Sequence, residues 1–151
     1  ISVSDFVATL GTFVAKGRLE KVGDVMSRAI LVCRDITPIV SAARTMTLIG
    51  WRSVLVVNEI GQPLGTMSGL DLLEYCSGKE YKDVTVAEVM HPAIKVSVDA
   101  NLREAVDIMI ENHYHRLVVV DPENPDGMPL GVISSNDIVA EMARPGSAWQ
   151  M

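Results

Sequence analysis

Two short stretches hold the residues best suited to chemistry. Gly65-Thr66-Met67-Ser68-Gly69-Leu70-Asp71 and Gly131-Val132-Ile133-Ser134-Ser135-Asn136-Asp137 share one pattern: glycine, two strand-like residues, serine, two spacers, aspartate. An ionised carboxylate only accepts hydrogen bonds, so Asp71 or Asp137 can take two vicinal hydroxyls in a bidentate grip. That grip suits a ribose and repels phosphate, which puts any phosphate at the far end of a site. A structural reading stands beside it, because Ser-x-x-Asp ahead of an apolar run is also the shape of a capping box. The two are compatible, since a helix N-terminus welcomes hydroxyl and phosphate oxygens as well.

The matching anion chemistry lies at His115-Arg116, just before the apolar run Leu117-Val118-Val119-Val120. Arg116 offers a planar fork that fits phosphate oxygens, and His115 adds a donor when protonated. The alternative is a solvated strand end. In the first stretch Arg52 aligns with His115 and Ser53 with Arg116, leaving one basic residue where the second has two. Trp51 stands where the second copy has Tyr114, to stack on a base or to plug the site. Two unequal sites are therefore expected, the stronger drawing on His115 and Arg116. Which of the two aspartates faces that pocket stays open at this level.

Metal and enzyme chemistry find little support. His113 and His115, with His91 as a third ligand, form one His-x-His without a neighbouring carboxylate, a weak metal pattern. Met26, Met46, Met67, Met90 and Met109 read as core filler. No Gly-x-Ser-x-Gly elbow or Walker loop occurs, and neither Cys33 nor Cys76 has a nearby histidine in sequence to activate it. The expectation is a non-enzymatic chain with no catalytic residue, no metal and no cofactor.

The elements that must position these residues come twice. Val22-Gly-Asp-Val-Met26 matches Val86-Ala-Glu-Val-Met90 at an offset of 64. Ile39 to Met46 matches Leu102 to Met109 at 63, and Gly65 to Asp71 matches Gly131 to Asp137 at 66. Offsets that slip only at loops mark a duplicated fold. Each copy reads as a Val-x-Asp/Glu-Val-Met turn and a strand (29–32; 93–96). There follow a helix, a buried strand (54–57; 117–120), a glycine-containing hairpin, a short strand and a last helix (70–76; 137–143). Thr37-Pro38 opens the first copy's helix, with proline at its first position, and Asn101 caps the second's. The order predicts an α/β (α+β) fold, β-α-β-β-α repeated, with repeats at 19–83 and 84–145 and a tail at 146–151. Val3, Phe6, Val7, Leu10, Phe13 and Val14 fall at helical spacing, predicting an amphipathic helix over 1–18. It would cover an edge of its own domain or connect to a partner.

Bulk composition narrows the partners. The 151 residues are 48% hydrophobic with only 5% aromatic, so the core must be aliphatic. Thirteen basic against 19 acidic residues leave a net charge of −6, which argues against nucleic acid but permits a local anion pocket. No apolar run reaches the roughly 18 residues of a membrane-spanning helix, and no signal peptide is visible, so a cytoplasmic chain with reduced thiols is expected. Its start at Ile1 suggests a piece of a longer parent.

With the repeat and its motifs in hand, residues 19 to 144 resemble a tandem pair of CBS domains, a Bateman module. The second copy, His115 to Asp121 followed by Gly131 to Asp137, is similar to the adenylate-binding repeats of energy-sensing kinase gamma subunits. The resemblance implies two repeats packed sheet to sheet about a pseudo-twofold axis, with adenosine nucleotides in one or both clefts. It implies that Asp71 and Asp137 take ribose hydroxyls and that Ser68 and Ser134 help hold ribose or phosphate. Arg52, His115 and Arg116 would neutralise phosphate, while Ile30 and Ile94 on the first strands would sandwich adenine. It further implies a homodimer formed through exposed helices. The expected function is regulatory sensing of AMP, ADP or ATP. The alternatives are S-adenosylmethionine, or an empty dimerisation module of a larger enzyme, channel or transporter.

Overall fold

A computed structural model describes residues 20–77 and 83–145. The expected helix at 1–18 and the tail at 146–151 lie outside the described residues. Thirteen elements follow in order: α1 (Val22–Val25), β1 (Val32–Arg34), α2 (Ile39–Ile49), β2 (Ser53–Val57), β3 (Pro63–Ser68), α3 (Gly69–Cys76), α4 (Val86–Val89), β4 (His91–Pro92), β5 (Lys95–Ser97), α5 (Leu102–Asn112), β6 (Arg116–Val120), β7 (Gly131–Ser134) and α6 (Ser135–Ala143). The fold is mixed α and β with two small sheets, and the duplicated order holds. The Val-x-Asp/Glu-Val-Met segments form single helical turns, α1 and α4.

The first-repeat unit contains the sheet β1-β2-β3-β4, with β1 parallel to β2 and the other pairs antiparallel. Ile39, Ala42 and Met46 of α2 pack with Val54, Val56 and Met67, and with Val86 and Val89 of α4. The second-repeat unit contains β5-β6-β7 in the same senses. Its core joins Leu102, Ala105, Val106 and Met109 of α5 to Leu117, Val119, Ile133 and Ile138, together with Val22 and Met26. Both β2 and β6 bury four successive residues, alternating between the sheet's two faces, which explains their unbroken apolar runs.

The compact units do not coincide with the sequence repeats. Among the described residues, 84–93 group with the first repeat and 20–28 with the second. The cause is visible at two glycines. A methyl group added at Gly65 would collide with the His91 carbonyl, and one at Gly131 with the Ser27 carbonyl. Only glycine lets these backbones approach so closely. Thr66 pairs with His91 on one sheet, and Val132 bridges Ser27 on the other.

Three local expectations shift. The first strands begin later than read, at Val32 and Lys95. Pro38 is the N-cap of α2 rather than its first helical residue. It stays extended (φ −61°, ψ 140°) because it bridges Thr85 while the Ile39 amide donates to the Val84 carbonyl. Asn101 caps α5 as expected, its side chain accepting from the Glu104 amide at 2.9 Å. Finally, Val32 aligns with Leu55 and Lys95 with Val118, so the first-strand offset is 63 rather than 64. Leu31, not Ile30, is therefore the counterpart of Ile94.

Candidate functional site

Each unit gathers its candidate residues at one end of its sheet, because the hairpin strands run antiparallel into a helix. In the second-repeat unit Arg116 lies opposite Ser134, and the Ser135 amide donates to the His115 carbonyl at 2.9 Å. The parallel neighbour brings in Ile94, whose carbonyl accepts from the Val118 amide at 2.8 Å. The backbones of Arg116, His115, Ile94, Ser134 and Asp137 thus lie at one end of the sheet. In the first-repeat unit Ser53 lies opposite Ser68, and the Gly69 amide donates to the Arg52 carbonyl at 3.2 Å. The Leu55 amide donates to the Leu31 carbonyl at 2.8 Å, which brings Leu31 to that end with Arg52, Ser68 and Asp71.

Both Ser-x-x-Asp motifs form reciprocal capping boxes. The Asp71 amide donates to Ser68 Oγ (3.2 Å) and the Ser68 amide to Asp71 Oδ2 (2.8 Å). The Asp137 amide donates to Ser134 Oγ (3.1 Å) and the Ser134 amide to Asp137 Oδ2 (2.8 Å). The capping reading therefore holds in both copies, and it consumes one carboxylate oxygen. It also fixes each side chain's direction, so the second oxygen is held at the helix N-terminus, in the field of the helix dipole.

The two copies differ at that second oxygen. Asp137 Oδ1 has no hydrogen-bond partner among the described residues. Asp71 Oδ1 lies 2.7 Å from His91 Nε2, and since an ionised carboxylate only accepts, the imidazole is the donor. His91 escaped the sequence reading as a partner of Asp71, for it falls 20 residues away in the other repeat. The only trace was its alignment with Ser27, which becomes meaningful once β4 is seen to pair with β3.

The basic residues also separate. Arg116 is half-buried at the start of β6 and makes no ion pair among the described residues, whereas Arg52 is exposed and precedes β2. His115 is exposed just outside β6. His113 ends α5 in the left-handed conformation (φ 56°), a structural position that Gly50 fills in the first repeat (φ 79°). Among the described residues no group of three or more histidine, cysteine or acidic side chains could hold a metal ion. No helix among them is long and apolar enough to cross a membrane.

Comparison with known proteins follows this geometry. Residues 22–78 and 86–144 each match the CBS domain. The chain is 30% identical over 128 residues to the protein MJ1404 of Methanocaldococcus jannaschii, covering 83% of this chain and 30% of that protein. It is 30% identical over 125 residues to MK0525 of Methanopyrus kandleri, covering 81% and 62%. The chain thus spans 30% and 62% of the lengths of these relatives. Among solved structures, CBS domain protein PAE2072 from Pyrobaculum aerophilum, complexed with AMP, superposes with a TM-score of 0.72 at 17% identity, covering 82% of this chain and 94% of that one. The CBS domain pair of protein MJ0100, in complex with 5′-methylthioadenosine and S-adenosyl-L-methionine, gives 0.72 at 19%, covering 83% and 98%.

Proposed function

Since the chain belongs to the CBS-domain family, we propose that it is a regulatory module binding an adenosine nucleotide, AMP, ADP or ATP. The observation that carries this reading is the pairing, within one unit, of Asp137 Oδ1 without a partner and the Arg116 guanidinium without an ion pair among the described residues. A carboxylate fixed by its own capping box is a preorganised acceptor for vicinal hydroxyls, and a guanidinium at the neighbouring strand end suits a phosphate. Ile94 would add an apolar wall for the base. The AMP complex of PAE2072 and the methylthioadenosine and S-adenosylmethionine complex of MJ0100 support an adenosine ligand in this fold.

Binding regulates by differential affinity for two conformational states, the only way a ligand shifts an equilibrium. The output passes to a homodimer partner or to a further domain of a longer parent. The dimer is supported by exposed apolar side chains on the first-repeat helices: Leu48 (80% exposed) and Ile49 on α2, and Leu70 and Leu73 (71%) on α3. The counterparts of Leu48, Ile49 and Leu70 in the second repeat are Glu111, Asn112 and Asn136, so most of this apolar surface belongs to one copy.

Calorimetric titration with AMP, ATP and S-adenosylmethionine tests the reading. Loss of the tighter nucleotide-binding site in Arg116→Ala and Asp137→Asn, with weaker binding at the first repeat remaining, is the expected result. A tighter site indifferent to Arg116→Ala but lost in Asp137→Asn identifies a ligand without phosphate, of the S-adenosylmethionine kind. Tight binding untouched by either change overturns the site, and no binding of any of the three leaves a dimerisation module.

A further inference from the structure

The two repeats present the same backbone around their aspartates but not the same neighbour. Thr66 pairs with His91 as Val132 bridges Ser27, and Gly65 and Gly131 lie against the respective carbonyls. Only the side chain changes. In the first repeat an imidazole reaches back from β4 and places Nε2 2.7 Å from Asp71 Oδ1. With Oδ2 accepting from the Ser68 amide, both oxygens of this carboxylate are engaged by the protein itself.

The two partners are unequally buried. The Asp71 side chain is 15% exposed and tied into the cap of α3, while the His91 side chain is 54% exposed. The imidazole is the partner that borders water. We propose that His91 is a built-in occupant of the first repeat's diol-binding carboxylate, so that a ribose enters there only by displacing the imidazole. The inference rests on the adenosine reading above and deepens it, making His91 the residue that ranks the two sites. Asp137, whose second oxygen meets no imidazole, fills first; Asp71 fills at higher ligand concentration. The serine in the second repeat's equivalent position leaves that site without an internal competitor among the described residues.

A side-chain contact with one solvent-accessible partner shifts a competing equilibrium by up to about five-fold. The test is AMP titration by calorimetry of four chains: wild type, His91→Ser, Asp137→Asn, and Asp137→Asn with His91→Ser. Asp137→Asn silences the second repeat and isolates the first, and His91→Ser installs the residue that the duplicate already carries. The expected result is that His91→Ser tightens AMP binding in the Asp137→Asn background by about two- to five-fold. In parallel, the His91 ring nitrogen resonances of Asp137→Asn move on AMP saturation to the position they hold in Asp71→Asn. Unchanged or weaker affinity, or ring resonances that stay put at saturation, overturns the role of His91 while leaving the adenosine reading intact. Binding by wild type with none in either Asp137→Asn chain shows that the first repeat is not a site, and overturns it too. No AMP binding in any chain overturns this inference, and the adenosine reading is then decided by the titrations with ATP and S-adenosylmethionine.

Discussion

Gly65 and His91 meet backbone to backbone across β3 and β4, so tightly that a Cβ on residue 65 would strike the His91 carbonyl. This contact, with its duplicate between Gly131 and Ser27, ties each single-turn helix to the sheet on which it packs. Gly65→Ala and Gly131→Ala are each expected to cost about 1–3 kcal/mol, because the obstacle is main chain and cannot rotate away. Urea unfolding measures it; a loss below about 0.5 kcal/mol in both contradicts the close approach.

His113 pays for a left-handed backbone that Gly50 adopts freely at the end of the equivalent helix. His113→Gly should therefore stabilise the fold by about 0.5–1 kcal/mol, and Gly50→Ala should destabilise it by a similar amount. Paired thermal melts decide the sign.

The two equivalent helices are capped differently. Asn101 accepts from the Glu104 amide, whereas Pro38 makes no side-chain cap bond. Asn101→Ala is expected to lower stability by about 0.5–2 kcal/mol. The loss should appear equally in urea midpoints followed by fluorescence and by circular dichroism.

Burial pushes the Cys33 thiol up to about 11 from its ordinary 9.0. The folded chain therefore keeps a proton that the unfolded chain releases, so this contribution is whole below about pH 9 and is lost as pH rises toward 11. Cys33→Ala should flatten the fall in unfolding free energy over that window relative to wild type. The same shift predicts slow reaction of Cys33 with a maleimide at pH 8, followed by mass spectrometry.

Leu48→Glu and Leu73→Glu place charges on the apolar helical face of the first repeat, where both side chains are exposed. The proposed homodimer should then dissociate without loss of fold, since neither residue belongs to the core. Analytical ultracentrifugation reads the outcome; a dimer that survives both changes lies elsewhere on the surface.

The sequence alone determined the duplication, the order of elements, the apolar strands β2 and β6 and the capping pattern around Ser68, Asp71, Ser134 and Asp137. These are local properties: periodicity, turn chemistry and offsets along the chain are written in neighbouring residues. The chain did not disclose where α4 and β4 pack, that Leu31 rather than Ile30 matches Ile94, or that His91 reaches Asp71. Each depends on strand register and on segments distant in sequence, which no local pattern encodes. A single residue lost between β4 and β5 moves the first strand's register, and a glycine's missing methyl decides which β-bridge can form. The pattern shared by the two repeats therefore concealed the difference that matters most. Tertiary pairing set an imidazole beside one carboxylate and a serine in the same place beside the other, because backbone geometry was duplicated while the side chain facing it was not.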